Sequence, residues 1–424
     1  MSFVIIDIMM IRFLSGLKQT GYLCLTGITA GIVAHLLTKS IHLIQSVSFG
    51  FAQGSFSAMI AQVSPQRRVI SLLLAGLIAG FGWRLLALKG KPLQTIRQTI
   101  HSQNHFSPWS QFFHGWIQLI TVSMGAPVGR EGASREVAVA MTSLWTKPLN
   151  IAQAEQSLLL ACASGAALGA VYNAPLATIL FILEAILQKW SFKNAFAAIL
   201  TSVIAVEVVA FLSGHHDIQY LMPQQYWGIT TLVWAALAGL LLSLLAYGYK
   251  YLLTRLPKPN PQKPSFVRNV FLAFVVAAGL SIYFPEIMGN GKAGLLFVFH
   301  QNNQFSYIAL LLLAKAIAVY LVFASGAKGG KIAPSMMLGG ASAFLIATVS
   351  NALFDLNLPI PLAIMVGSAL FLGIVNSMPL TAPIFLVEIT GQSLPTVIPI
   401  AIASLVAYLA PKIYHKVMKR VKLY

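Results

Sequence analysis

Runs of apolar residues follow one another along this chain almost without pause: Gly21 to Thr38, Val69 to Leu88, Asn194 to Leu212, Gly228 to Tyr247, Phe266 to Ile282, Ser306 to Ala324 and Leu358 to Leu372. Each reaches or approaches the ~20 residues that a helix needs to cross the hydrocarbon of a bilayer. Two further runs, Gln156 to Val171 and Leu176 to Leu187, are shorter and are parted by Gly, Asn and Pro. Backbone leaves helical geometry at membrane depth only where protein or a wet cavity satisfies its polar groups, so these breaks point to a site.

The break recurs. GAVYNAPLATILFILE from Gly169 matches GIVNSMPLTAPIFLVE from Gly373, pairing Val171 with Val375, Pro175 with Pro379, Leu176 with Leu380, Phe181 with Phe385 and Glu184 with Glu388, each pair 204 residues apart. Glycine permits a closely packed backbone, proline suits the first turn of a helix, and an acid nine residues later lies near the end of a short helix. Duplication with interrupted apolar segments is the pattern of a transporter whose site lies between its halves. The expected architecture is one all-α, polytopic transmembrane domain of two repeats built from broken helices. The first half covers about residues 1–254 and the second 266–424, joined by an extended Pro-rich linker at 255–265 that contains LPKPNPQKP. No cytosolic regulatory domain and no removable signal peptide are expected, since Asp7 and Arg12 interrupt the first apolar run.

Composition agrees. The 424 residues are 57% hydrophobic and 9% charged, with mean hydropathy +0.78, too much apolar surface for a water-soluble core. The formal net charge of +18 is scattered over short loops and terminal turns, densest at Lys89 to Arg97, Arg255 to Arg268 and Lys412 to Lys422. Without a single basic patch this excludes a nucleic-acid partner and reads as the positive-inside bias of an inner-membrane protein with a cytoplasmic C-terminus. The two cysteines, Cys24 and Cys162, lie in apolar runs and make no disulfide framework.

Ten acids occur, and five fall within or at the ends of apolar segments: Glu131, Glu136, Glu184, Glu207 and Glu388. An ionisable group in a bilayer costs about 2.5–3.5 kcal/mol on insertion scales and persists mainly when paired or used. Glu131 stands out. In GAPVGREGASREVAVAMTSL the residues Gly125, Pro127 and Gly129 hold off regular helix, so Glu131 falls in a first helical turn, beside free N–H groups and the positive end of the dipole. In the second half GAKGGKIAPSMMLGG runs loop glycines into another helix start, with Gly330 lying 201 residues after Gly129. The two starts read as repeat mates; if the halves are inverted in the membrane, both converge at the midplane and surround one small-anion site. Arg135, four residues after Glu131, is placed to pair with it, while Glu136 or a lipid phosphate is the competing partner. His101 and His105 have helical ligand spacing in a polar loop without an acidic or cysteine partner, so no metal and no cofactor is expected. A membrane-embedded enzyme using Glu131, Arg130 and His residues for acid or base work needs a nucleophile or metal set, and none stands out.

These motifs resemble the CLC family of chloride channels and proton-coupled chloride transporters. GREGA at Gly129 to Ala133 is similar to the family's GREGP motif, GKIAP at Gly330 to Pro334 to its GxFxP motif, and YNAPLATILFILE to a later helix of its first half. The resemblance runs from about Leu74 to Tyr414 and implies a CLC-like fold of two inverted repeats of tilted, broken transmembrane helices, in a homodimer with one pore per subunit. It also implies that Glu131 is the gating glutamate, which occupies the outer anion position and swings away when protonated or displaced. Gly129, Arg130 and Gly132 shape its loop, and the N–H groups of Lys331 and Ile332 hold the central anion. Tyr414 is either the tyrosine that caps that anion or an interfacial anchor. In place of the family's GSGIP segment stands Leu88 to Pro92, with Lys89 for the anion-coordinating serine; Lys89 either strengthens anion binding or is a loop cation. The second glutamate that often follows the match to Glu184 is here Ala185, so the usual inner proton acceptor is missing. Glu207 is either a substitute relay or a paired acid, and the symmetric Glu184 and Glu388 read as structural. The implied function is transport of chloride or a similar small anion, by proton-coupled exchange or by passive conduction.

Overall fold

The structure, a computed structural model, describes residues 2–51, 55–91, 93–101, 106–216, 218–300 and 304–421, and the side chains of all these except 2–15, 101 and 412–421. Among the described residues there is no strand, and helices account for most of the chain. In order they are α1 (Ser2–Phe49), α2 (Phe56–Met59), α3 (Pro65–Lys89), α4 (Ile96–His101), α5 (Pro108–Ser123) and α6 (Glu131–Thr146). There follow α7 (Gln153–Tyr172), α8 (Pro175–Phe181), α9 (Phe192–Ser213), α10 (Ile229–Thr254), α11 (Pro264–Tyr283) and α12 (Lys292–His300). The last are α13 (Phe305–Ala324), α14 (Ile332–Phe354), α15 (Ile360–Asn376), α16 (Thr381–Thr390) and α17 (Val397–Val421). Nine helices among the described residues are long and apolar enough to cross a membrane, and α8, α15 and α16 are among the shorter apolar pieces. The protein is a multi-pass membrane protein.

The repeated break is visible in the backbone. Helix α7 stops where Asn173 turns left-handed (φ 52°), and α15 stops where Ser377 does the same (φ 57°), at the same 204-residue offset. Pro175 then opens α8 as its first residue. Its mate differs: Pro379 stays in the turn and α16 begins two residues later at Thr381, so proline marks the break in both repeats but starts a helix in one. Glu184 lies in a π-helical turn, Ile182–Leu187, and Glu388 inside α16; both are half-buried.

The chain folds into two compact units. One comprises Met1–Thr38, Pro92–Phe112 and Ser134–Asp217, the other Lys39–Lys91, Phe113–Ala133 and Ile218–Tyr424. In the first, α7, α8 and α9 pack together and α1 sets Gly31 against the backbone of α9, where a Cβ would meet Ala205 O at 2.7 Å. In the second, α3 pairs with α11, α10 with α17, and α14 with α15. Helices in lipid gain little from hydrophobic burial against one another and associate by close backbone approach at small residues. Gly339 and Gly367 make that approach between α14 and α15, each lying against the other's carbonyl oxygen. Gly339→Ala is therefore expected to cost about 1–3 kcal/mol by overpacking, whereas Gly279→Ala, with open space around it, should be neutral or stabilising. Thermal unfolding in detergent distinguishes the two, and equal midpoints would contradict the packing.

Candidate functional site

The glycine-rich segments at Gly129 and Gly330 meet. Gly129 N–H donates to Gly330 O at 2.8 Å and Gly330 N–H donates to Gly129 O at 2.7 Å, a two-way antiparallel bridge between segments 201 residues apart. The first segment is shaped by Gly125, whose φ of +108° suits glycine, with Met288 Cε where its Cβ would stand. Its carbonyls are pinned as well: Ser71 Oγ donates to Met124 O at 2.8 Å and Gly289 N–H to Gly125 O at 2.9 Å.

Glu131, 1% exposed, is the first residue of α6. Its Oε1 accepts from Ala333 N–H at 3.2 Å, in the first turn of α14. Lys331 is the residue before that helix, so Ala333 occupies its second position, where an N–H has no partner in its own helix and a side-chain acceptor normally caps it. Glu131 supplies the cap from 202 residues away, its carboxylate sitting where an anion at a helix start would sit. The fit depends on glycine: a Cβ on Gly129 or Gly330 would overlap Glu131 Oε2, and one on Gly132 would press on Gln118 Oε1. Gln118, on α5, is buried and shares a 3.0 Å hydrogen bond with His114.

The other expected residues are placed as follows. Ile332 is buried at the start of α14, while Lys331 is exposed, its Nζ 5.9 Å from the Phe323 ring centroid. Lys89 is exposed in the last turn of α3, at the carbonyl end of that helix. Glu207 is exposed on α9 with a carboxylate oxygen 3.8 Å from His216 Nε2. Arg135 donates through Nε to Ser164 Oγ at 3.1 Å and lies 4.8 Å from the Phe181 ring centroid. Tyr414 lies in α17, and its side chain is outside the described residues, as are the side chains of His101 and His105.

Three residues at this site are absent from the sequence reading. Ala333 is one: its N–H, at the second position of α14, is the donor to the gate-loop carboxylate, and counting from Lys331 would have found it. Lys315, in the middle of α13 and 0% exposed, donates to Ile287 O at 2.7 Å and Gly289 O at 3.0 Å, and Glu131 is within electrostatic reach of it. Tyr220, in the loop between α9 and α10, is 1% exposed with its hydroxyl buried and without a hydrogen-bond partner among the described residues. Burial, and secondarily the charge of Glu131, push the Tyr220 phenol above its ordinary range, with Arg130 acting in the opposite sense, so it remains an O–H donor at neutral pH.

The family model of the voltage gated chloride channel matches residues 70–412. The chain belongs to the voltage gated chloride channel family. It is 26% identical over 381 residues, 86% of this chain and 89% of the relative, to the voltage-gated ClC-type chloride channel ClcB of Escherichia coli. Its fold matches a slow cyanobacterial Cl-/H+ antiporter with a TM-score of 0.73 at 19% identity, covering 95% of this chain and 98% of that one. A eukaryotic CLC transporter matches with a TM-score of 0.72 at 17% identity, over 95% of this chain and 73% of that one. CLC membership accounts for the ordered motifs; Glu131 and its amide partner are this chain's own geometry.

Proposed function

We propose that this CLC protein carries chloride or a similar small monovalent anion across the membrane in exchange for protons, with Glu131 as the gate. The observation that carries the reading is the Ala333 N–H held by the Glu131 carboxylate beside the two-way glycine bridge. A helix start that accepts a tethered carboxylate in a buried, glycine-lined space accepts a free halide on the same terms. The two compete for one place. Protonation removes the charge of Glu131, the side chain leaves, and an anion takes the vacated donors; return of the carboxylate closes the path and releases the proton. Gly129, Arg130 and Gly132 shape the gate loop, and Gly330, Lys331 and Ile332 the opposing helix start. Lys89 and Tyr414 are further candidates for anion contact and Glu207 for proton relay. The family resemblance and the basic C-terminal cluster support a homodimer in the inner membrane with that end in the cytoplasm.

Passive conduction is the second reading, favoured by Ala185 where an acid would serve as inner proton acceptor. Reconstitution in liposomes under a chloride gradient, with chloride and pH recorded together, decides. Chloride movement that drives protons uphill supports exchange, chloride movement alone supports conduction, and no flux of chloride, bromide or nitrate overturns both. Gly330→Ala gives a sharper check, because within 3.0 Å its new methyl meets Glu131 Oε2 alone, the end of a flexible side chain. Its expected effect is a partly expelled gate, with chloride flux at neutral pH raised about tenfold if one charge-assisted hydrogen bond is lost. Unchanged or slower flux would contradict it.

A further inference from the structure

Two buried donors close to the gate have no acceptor. The Tyr220 hydroxyl and Arg130 Nε are both shielded from solvent and make no hydrogen bond among the described residues. Tyr220 is tied to the gate by packing: Lys292 lies over its ring, and the preceding Gly291 sits on the start of α14, where a Cβ would meet Ala333 O at 3.1 Å; the charges of Glu131 and Arg130 both act on the phenol. Tyr220 is held there from several directions. Its N–H donates to Ile389 O at 2.9 Å, and the Lys292 ammonium lies 5.6 Å from its ring centroid while donating to Gln219 Oε1 at 2.7 Å.

A buried polar group without a partner forfeits its full desolvation cost, so a native structure that keeps one calls for an explanation. Both are donors in want of an acceptor: a neutral O–H and a guanidinium N–H. A carboxylate on a short tether is already within electrostatic reach, at an effective concentration that a free solute does not match. In the present conformation that carboxylate is spent on Ala333, and it must go somewhere when an anion takes its place.

We infer that Tyr220, assisted by Arg130 Nε, is the docking point of the displaced gate: on leaving the α14 start, the Glu131 carboxyl group accepts the Tyr220 hydroxyl proton in a hydrogen bond. This rests on the gating role of Glu131 and adds the partner of its open position. No covalent bond changes; one hydrogen bond, to Ala333 N–H, is exchanged for another. The open position is thereby specified rather than diffuse, and its occupancy sets the turnover.

The test is a four-protein cycle of chloride efflux from liposomes: the unmodified chain, Tyr220→Phe, Glu131→Ala and the double variant. Tyr220→Phe removes one oxygen atom and keeps the ring packed, and matching elution from a sizing column checks that all four are folded. The expected result is turnover about fivefold lower in Tyr220→Phe than in the unmodified chain, the loss of one hydrogen bond between neutral groups. The same substitution should change efflux less than twofold once Glu131 is alanine, because there is no carboxyl left to dock. Equal slowing in both backgrounds would overturn the inference, as the hydroxyl would then serve the anion or the fold; so would no slowing in either. Absence of efflux from all four would defeat the transport reading itself and this one with it.

Discussion

Glu131→Ala is expected to abolish proton movement while leaving chloride flux intact and no longer dependent on pH. The carboxylate is the acceptor of Ala333 N–H and the acid of the cradle, so its removal deletes both the plug and the proton carrier. Losing a charge-assisted hydrogen bond of about 1.5–3 kcal/mol shifts the competition for the helix start toward the free anion by about ten- to a hundredfold. The flux assay with simultaneous pH recording reads both changes. Uphill proton movement that survived in Glu131→Ala would show that the proton travels by another group.

Lys315→Met is expected to unfold the gate's support. The lysine is fully buried in α13 and spends its ammonium on Ile287 O and Gly289 O, and Gly289 in turn holds Gly125, the left-handed turn that leads to Glu131. Methionine fills similar volume and would relieve the burial of one charge, which alone can stabilise. Two losses oppose this: a pair of buried carbonyls without those donors, about 1–3 kcal/mol each, and the attraction of the ammonium for the Glu131 charge. The losses win. A marked fall in the thermal midpoint in detergent should accompany slowed chloride flux in the protein that survives; an unchanged midpoint would show that the ammonium holds nothing up.

The spans and their breaks were legible because each depends on local pattern. The run at Ser306 to Ala324 became α13, the pause at Asn173 and its mate Ser377 became matching left-handed stops, and the two glycine segments were paired by offset before geometry joined them. What stayed hidden depends on partners remote in sequence. Lys315 reads as one cation in a long apolar run until Ile287 and Gly289 are brought beneath it. Tyr220 reads as one loop aromatic among many until burial strips its hydroxyl of acceptors. That Ala333 is the donor to Glu131 stayed hidden for a smaller cause: glycines announce that a helix start is near, but the register of free N–H groups is set by the residue that precedes the first turn.

The double backbone bridge between Gly129 and Gly330 restricts how substrate can pass. Prying those segments of loop apart would sacrifice two main-chain hydrogen bonds. Passage by pivoting one carboxyl arm leaves them whole. A carrier that works by such a latch presents the same outline to surrounding lipid at every stage of its cycle, so its turnover should be nearly indifferent to acyl-chain length, unlike that of proteins that rock entire bundles.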